Sequence, residues 1–375
     1  MYNWQNNIDE ESIRVYKSFA CFFSPEKLGF SLKIVNNLKL FYSKVVVLCD
    51  ILGRIHIIIL FFKTFKFYNT LPTMIKSTLF AGIGPALVDY IYVIDNYPKR
   101  GGQAVIKSSY KMAGGACANV IYGLSKLGIK CRFYSTIGKD EDANFFIKSM
   151  ENVDLRLFIT HEKTGKVFVY VDKDGERTFF VHPNASEVLN IEICEEEYKE
   201  IDYFYLDPFP SKNSLDLHLK VAKNAKRFDK FVILNPGYPY VSLGFKRLSR
   251  LLKFTDLVII SRDEFKSLEA NEDDFLKFVD ILVITLGKDG SKAVTKDREY
   301  YQPAFNVKVV DTTGAGDAFA VGFLYGFINN LSLDLCLRLG NFIASYNIQY
   351  YGARNYPDKD LIKEILKKEQ KHKTI

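Results

Sequence analysis

Short apolar runs that alternate with helical patterns are the feature that most constrains the fold of this chain. Strand-like runs occur at residues 77–83, 131–137, 203–206, 231–234, 257–260 and 281–286. Helical patterns lie between most of them, as at residues 115–127 and 214–225. Because neighbouring parallel strands are joined by helical crossovers, this alternation predicts βαβ units. We therefore expect a Rossmann-like, three-layer α/β/α domain.

Two segments depart from this alternation. Residues 89–94 and 103–112 have strand patterns with no helix between them. Residues 166–171 and 176–182 are strand-like as well, and the sequence Asp-Lys-Asp-Gly that joins them is typical of a hairpin turn. The pattern predicts a small antiparallel sheet, with strands near 89–112 and 166–182, that projects from the domain as a lid.

Composition excludes several classes of protein. With 375 residues, of which 48% are hydrophobic and 15% aromatic, the chain is typical of a folded globular protein. Its net charge of +7 is uneven, because nine Lys/Arg and five Asp/Glu place +4 of it in residues 1–73. The rest is close to neutral and gives no electrostatic reason to expect nucleic acid. The six cysteines form no C-x-x-C pair. This favours reduced thiols and a cytoplasmic protein.

Residues 1–73 form a separate segment whose most apolar part is Val45–Phe62. This run is 18 residues long, close to the minimum for a spanning helix. Its thirteen Val, Ile, Leu and Phe residues favour insertion by roughly 4 to 8 kcal/mol, and Asp50 with Arg54 oppose it by about 5 to 7 kcal/mol. The sum is near zero, so we expect a non-catalytic extension at 1–73. A membrane-binding or partner-binding helix stays open as the alternative.

The stretch Val307–Phe327, VKVVDTTGAGDAFAVGFLYGF, carries the clearest chemical signal. A β-branched run leads into Gly314-Ala315-Gly316, and a helical pattern opens at Asp317. A tight glycine turn at a helix N-terminus presents free N–H groups and the positive end of the helix dipole, which suit a phosphate. Asp317 either caps this helix or accepts the proton of a hydroxyl that attacks the phosphate.

The sequence DTTGAGDAF at Asp311–Phe319 resembles the C-terminal signature of the ribokinase (PfkB-type) family of carbohydrate and nucleoside kinases. The N-terminal signature of that family is matched by AGGACAN at Ala113–Asn119. Other family-like segments follow in the expected order, so the resemblance covers about residues 74–360. It implies a ribokinase-like kinase domain over residues 74–375 that uses ATP.

The resemblance also implies roles for individual residues in phosphoryl transfer. Asp317 matches the catalytic base, and the amides of Gly314, Ala315 and Gly316 match the anion hole for the transferred phosphoryl group. The predicted substrate-binding residues, which would hold hydroxyls of the acceptor, are Asp89, Gly114, Gly115 and Asn119.

The nucleotide and metal sites follow from the same resemblance. The residues that match the nucleotide site are Ser261, Thr285, Gly287, Gly290, Asn341 and Ala344. Glu264 matches a glutamate that organises Mg²⁺ through water, and Ser261 replaces the asparagine three positions before it. Asp311 matches a position that is linked to a monovalent cation in some members, so K⁺ is an optional further cofactor.

We therefore expect an ATP-dependent phosphotransferase that phosphorylates a hydroxyl of a small sugar or sugar derivative. A nucleoside (adenosine-like) kinase is the alternative, in which Tyr90, Tyr92 and Phe168 could stack on a base. A catalytically silent sensor is disfavoured because Asp317 and its glycines are present. A dinucleotide-binding protein is disfavoured because Leu87 takes the place of a glycine in G-x-G-x-x-G. The family resemblance also makes a homodimer through the lid plausible.

Overall fold

The computed structural model describes residues 78–372, apart from residue 174. The predicted extension at 1–73, with its apolar run at 45–62, lies outside the described residues. Within the described part of the chain, every helix is too short or too polar to cross a membrane.

Thirteen strands are found among the described residues. They are β1 (Leu79–Ile83), β2 (Leu87–Ile94), β3 (Ile106–Gly114), β4 (Lys130–Ile137), β5 (Val153–Ile159), β6 (Gly165–Val171), β7 (Arg177–His182), β8 (Tyr203–Leu206), β9 (Phe231–Leu234), β10 (Leu257–Ser261), β11 (Ile281–Thr285), β12 (Ser291–Val294) and β13 (Glu299–Gln302). Nine of them form the main sheet in the order β13-β12-β11-β10-β9-β8-β1-β4-β5. All neighbours from β11 to β5 are parallel, and β12 and β13 add an antiparallel edge.

Helices cover both faces of the main sheet. Those described are α1 (Ala116–Lys126), α2 (Glu141–Ser149), α3 (Glu195–Glu200), α4 (Ser214–Arg227), α5 (Gly237–Val241), α6 (Phe245–Leu252), α7 (Arg262–Ser267), α8 (Glu272–Leu276), α9 (Ala315–Ile328), α10 (Leu333–Asn347) and α11 (Lys359–His372). Phe80 of β1 packs in a core with α1, α9 and α10, whereas Leu79 and Ala81 pack in a second core with α4 and α6. Since successive side chains of a strand point to opposite faces, the two cores lie on opposite sides of the sheet. The predicted three-layer α/β/α class is confirmed.

The four remaining strands form a second sheet, called the small sheet below, in the order β3-β2-β6-β7. Strands β2 and β3 pair antiparallel, as do β6 and β7, and β2 pairs parallel with β6. The two strand pairs expected from the sequence are therefore present, although β2 begins at Leu87 and β3 runs from Ile106 to Gly114.

The topology of the main sheet defines where a ligand can bind. From β1, the chain continues to β4 on one side of the sheet and reaches β8 on the other. Ligands of open α/β sheets bind beyond the carboxyl ends of the strands, at such a switch in strand order. Here the carboxyl ends of β1 and β8 are followed by the segment 84–86 and by Asp207.

Candidate active site

The turn before α9 is shaped by Gly314. This residue is the N-cap of α9, with φ 69° and ψ 13° in the left-handed region. A Cβ at this position would lie 2.4 Å from Ala353 Cβ, so both its conformation and the close packing require glycine. A Cβ at Gly316 would meet no atom within 4 Å. Gly316, in the first turn of α9, therefore faces open space, and the N–H groups of this turn have no partner within the helix.

Asp317, in this first turn, is held by a residue of another helix. The Nδ2 atom of Asn119 on α1 donates to Asp317 Oδ2 at 2.8 Å. One turn further along both helices, a Cβ at Gly123 would lie 2.5 Å from Val321 Cγ2. The small residue at 123 thus allows α1 and α9 to approach closely, and this approach brings Asn119 to Asp317.

Asn119 is itself fixed by residues from the loop that follows α10. Arg354 Nε donates to Asn119 Oδ1 at 2.8 Å, and its Nη1 donates to Ser149 Oγ at 3.0 Å. The Tyr356 hydroxyl donates to the backbone oxygen of Asn119 at 2.9 Å. Because both ends of the Asn119 amide have partners, its orientation is determined by the network.

Asp89 lies on β2, opposite the end of β3. A Cβ at Gly114 would lie 2.4 Å from both carboxylate oxygens of Asp89, so this close approach requires glycine. Gly115 follows as the N-cap of α1. The predicted substrate-binding residues are thus brought together, with Asp89 and Gly114 in direct proximity and Asn119 one turn into α1.

The two carboxyl groups share an unusual electrostatic environment. Burial raises the pKa of Asp317 to about 6, against the opposing effects of the Asn119 hydrogen bond and the Arg354 charge. Burial also raises the pKa of Asp89 to about 7, with the charge of Arg354 lowering it and that of Asp317 raising it. A carboxylate with a pKa near 6 can act as a general base close to neutral pH.

Asp207 and Arg354 form a cluster of charged residues with Asp317 and Asp89, called the acidic cluster below. Neither of them was predicted from the sequence. Asp207 is buried, and its Oδ2 accepts from the Cys117 amide at 3.3 Å. Burial, and secondly the charge of Asp317, raise its pKa well above the usual range. An acidic residue directly after the buried strand β8 was a usable signal, whereas nothing local marks Arg354.

The predicted nucleotide-binding residues lie at the neighbouring strand ends. Ser261 and Thr285 are partners in the register of β10 and β11, so they end at the same edge of the main sheet. Gly287 opens a short 3-10 turn at Gly287–Asp289, and Gly290 follows it with φ 101°. The structure thus groups these four residues at the carboxyl ends of β10 and β11.

The side chains of Glu264 and Asn341 both form hydrogen bonds within the protein. Glu264 Oε2 accepts from Ser261 N at 2.9 Å and from Ser261 Oγ at 2.8 Å, which forms a capping box at the start of α7. Asn341 Nδ2 donates to Gln302 O at 2.9 Å and to Pro303 O at 3.1 Å, which fixes the end of β13. Ala344 lies one turn further along α10.

Asp311 contacts the small sheet through Arg177. Its Oδ1 accepts from Thr313 N at 2.9 Å, and its Oδ2 accepts from Gly352 N at 2.8 Å. Arg177, the first residue of β7, donates to the hydroxyls of Thr312 and Thr313, and its Nη1 lies 3.4 Å from Asp311 Oδ1. One side chain of the small sheet therefore reaches the loop before Gly314.

Comparisons with known proteins agree with this geometry. Residues 81–360 match the family model described as pfkB family carbohydrate kinase. The chain is 34% identical over 242 residues to an uncharacterized sugar kinase of Archaeoglobus fulgidus, covering 62% of this chain and 96% of that protein. It is 28% identical over 297 residues to a nucleoside kinase of Methanocaldococcus jannaschii, covering 76% and 96%.

Solved structures give the same result for the fold. The crystal structure of the M. jannaschii nucleoside kinase matches with a TM-score of 0.67 at 27% identity, covering 77% of this chain and 98% of that one. A ribokinase of Thermotoga maritima matches with a TM-score of 0.69 at 24% identity, covering 77% and 99%, and this second likeness concerns the fold alone. The chain therefore belongs to the pfkB family of carbohydrate kinases, which are ATP-dependent phosphotransferases with a ribokinase-like fold.

Proposed function

We propose that this kinase phosphorylates a hydroxyl of a small sugar or sugar derivative, with Asp317 as the general base. The observation that carries this proposal is the placement of Asp317. It lies three residues after Gly314 at the open N-terminus of α9, hydrogen-bonded to Asn119 and with its pKa raised to about 6. A base there can take the proton of a hydroxyl that attacks a phosphoryl group at the helix N-terminus.

The remaining predicted site residues would bind the acceptor, the transferred phosphoryl group and the nucleotide. Asp89, with Gly114, Gly115 and Asn119 beside it, binds hydroxyls of the acceptor and so orients the one that reacts. The amides of Gly314, Ala315 and Gly316 stabilise charge on the transferred phosphoryl group. The nucleotide lies along the edge formed by Ser261, Thr285, Gly287 and Gly290, with Asn341 and Ala344 on α10 closing its far side.

The acidic residues fit a magnesium ion that is carried by the nucleotide. Glu264 leaves its Oε1 outside the helix cap. Burial raises the pKa of Asp207, and the charges of Asp317 and Glu264 raise it further. The described residues include no group of three or more potential metal-ligating side chains. Mg²⁺ would be held by the phosphates of ATP and, through water, by Glu264. When bound, Mg²⁺ neutralises charge on the phosphates.

A monovalent cation does not fit the surroundings of Asp311. Both carboxylate oxygens accept protein hydrogen bonds, and Thr313 O accepts from Asn347 Nδ2 at 2.8 Å. Burial alone would raise the pKa of Asp311, yet these hydrogen bonds and the charge of Arg177 lower it. The guanidinium already supplies the positive charge, so we derive no role for K⁺.

A nucleoside is the second candidate acceptor, because the face of the small sheet that carries Asp89 also carries a group of buried apolar side chains. Ile91, Val167 and Val169 lie on this face and are buried. Tyr90 and Phe168, which the sequence suggested as base-stacking residues, lie on the opposite face, where the Tyr90 hydroxyl donates to Asp142 Oδ1 at 2.7 Å. A base held beside Asp89 would therefore pack on that face of the small sheet and not on the rings of Tyr90 and Phe168.

The small sheet would act as the lid, and its free edge offers a surface for a second copy of the chain. Phe179, Phe180 and Val181 on the edge strand β7 are all more than half exposed. An exposed apolar edge strand favours association, so we propose a homodimer through the lid. Sedimentation velocity of the wild type and of Phe179→Lys tests this, since an unchanged monomer in both would contradict it.

Residues 74–375 are proposed as the kinase domain and 1–73 as a non-catalytic extension in a cytoplasmic protein. The family match at residues 81–360 supports the first part, and the free cysteines Cys117, Cys131, Cys194 and Cys336 support a reducing compartment. Removal of residues 1–73 should leave kcat unchanged, and a loss of turnover in a folded truncation would refute this assignment.

The test of the proposed function is a panel of acceptors with ATP and Mg²⁺, with released ADP as the readout. D-ribose, D-fructose, ribose 1-phosphate, adenosine and inosine separate sugar, sugar phosphate and nucleoside. We expect one class to be phosphorylated and Asp317→Asn to abolish most of the turnover. ADP release that does not depend on any acceptor, or that survives Asp317→Asn, would refute the proposal.

A further inference from the structure

Arg354 lies at the centre of the acidic cluster, although it is outside both signature segments. Its Nε donates to Asn119 Oδ1 at 2.8 Å, and its positive charge lowers the pKa of both Asp317 and Asp89. Burial lowers the pKa of Arg354 itself. Its central carbon lies 5.0 Å from the centre of the Tyr122 ring.

One nitrogen of the Arg354 guanidinium has no hydrogen-bond acceptor among the described residues. Nη1 donates to Ser149 Oγ at 3.0 Å, but Nη2 is buried and has no acceptor among the described residues. A buried donor without a partner costs about 1–3 kcal/mol. An arginine that served only to join its loop to α1 and α2 would be expected to avoid this cost, so its position needs a further reason.

We propose that Arg354 is a positioning residue for phosphoryl transfer, which orients the Asn119 amide towards Asp317 and keeps Asp317 in its charged form. The inference rests on the proposed function, in which Asp317 is the base. It adds a residue that neither signature contains.

The first part of this role follows from the chemistry of an amide. Asn119 could turn its side chain over and present Oδ1, a second acceptor, to the Asp317 carboxylate. Arg354 Nε can only donate, so it selects the orientation in which Oδ1 faces the arginine and Nδ2 faces Asp317. Among the described residues, Arg354 is the hydrogen-bond donor to Oδ1, so its loss would allow the reversed orientation.

The second part follows from the charges around Asp317. The titratable groups that face it are Asp89, Asp207, Cys117, Tyr205, Tyr356 and Arg354. Burial, and with it the charge of Asp317, raises the pKa values of the two aspartates. The pKa values of the tyrosines and the cysteine are raised as well, so these three groups are neutral near pH 7. Arg354 supplies the positive charge in this set. Its removal should therefore leave Asp317 protonated over a wider range of pH.

The experiment compares Arg354→Met, Arg354→Lys and a matched control, Arg156→Met. Arg156 pairs with Asp154 on β5, outside the site, and its loss should leave the pH profile unchanged. The pH dependence of kcat is measured with ATP and the acceptor of highest kcat/KM in the panel. For Arg354→Met we expect the acidic limb to move up by at least about one pH unit, which lowers kcat about threefold at pH 6.5 and about tenfold at pH 5.

Arg354→Lys separates charge from orientation. It keeps a positive charge but loses the planar Nε donor, so the acidic limb should stay near that of the wild type while kcat falls several-fold. An acidic limb that does not move in Arg354→Met would overturn the proposal. If Arg354→Met does not fold, wild-type kcat in Arg354→Lys would overturn it instead.

A measurement without any acceptor distinguishes this inference from the proposed function. In the free protein, the carboxyl groups of ¹³C-labelled aspartate are titrated by NMR, and Asp317→Asn identifies the resonance of Asp317. Arg354→Met should raise the pKa of this resonance by at least about one unit. If no acceptor in the panel is phosphorylated, the proposed function is refuted. The titration would still decide whether Arg354 lowers the pKa of Asp317.

Discussion

Replacement of Asp317 by asparagine should inactivate the enzyme and stabilise its fold at the same time. Asparagine keeps the size of the side chain and an oxygen that can accept from Asn119 Nδ2, so the contact at 2.8 Å can persist. It cannot accept the proton of the attacking hydroxyl. General-base help is worth about 10²–10⁴ in rate, and we expect kcat to fall by that factor.

The gain in stability follows from the pKa of Asp317. Its pKa is about 6 in the folded protein against an ordinary value of 3.8, because burial disfavours the charged form. The ionised carboxylate therefore destabilises the fold. This penalty is absent below about pH 4, grows as the pH rises to about 6, and is complete above that. At 1.36 kcal/mol per unit, the free energy of unfolding at pH 7 should rise by about 3 kcal/mol in Asp317→Asn.

Thermal unfolding at pH 7 and at pH 4 tests this reasoning. At pH 7 the Tm of Asp317→Asn should exceed that of the wild type by about 5 °C, and at pH 4 the two should nearly coincide. Asp297→Asn, which changes an exposed aspartate, is the control and should change Tm little at either pH. A Tm of Asp317→Asn that is equal to or below that of the wild type at pH 7 would show that Asp317 is not a destabilising buried charge.

Three further predictions concern other parts of the site. Asp89→Asn should raise the KM for the acceptor at least about tenfold and leave the KM for ATP within a few-fold. Steady-state kinetics in which only the KM for ATP rises would contradict this. Gly314→Ala should destabilise by about 1–3 kcal/mol in denaturant unfolding, since φ is 69° and the new Cβ would lie 2.4 Å from a neighbouring one. Gly175→Ala, with φ 79° in open space, is its control and should cost less. Exchange of K⁺ for tetramethylammonium should leave kcat within about two-fold. Arg177→Met should lower kcat, and the control Lys173→Met should not. Activation by K⁺ would refute the conclusion that no monovalent cation binds at Asp311.

Much of the fold could be predicted because its signals are local. The strand from Tyr203 to Leu206 and the strand from Phe231 to Leu234 were expected with the same bounds that the structure has. Each is a short apolar run between helical patterns, and such runs are determined by residues that are neighbours in sequence. Bounds were less accurate where tertiary pairing extends a strand, as at Gly114, which the small sheet includes in β3.

The candidate site divides in the same way. The sequence by itself determined the glycine turn at 314–316, the aspartate that follows it and the family to which the chain belongs, because these depend on residue types at fixed spacing. The tertiary structure alone decided which groups surround that aspartate. Asn119 and Asp317 are 198 positions apart, and Arg354 is 235 positions from Asn119. Contacts over such separations arise only when α1, α9 and the loop after α10 pack together, and this packing also produces the burial that brings the pKa of Asp317 near neutrality.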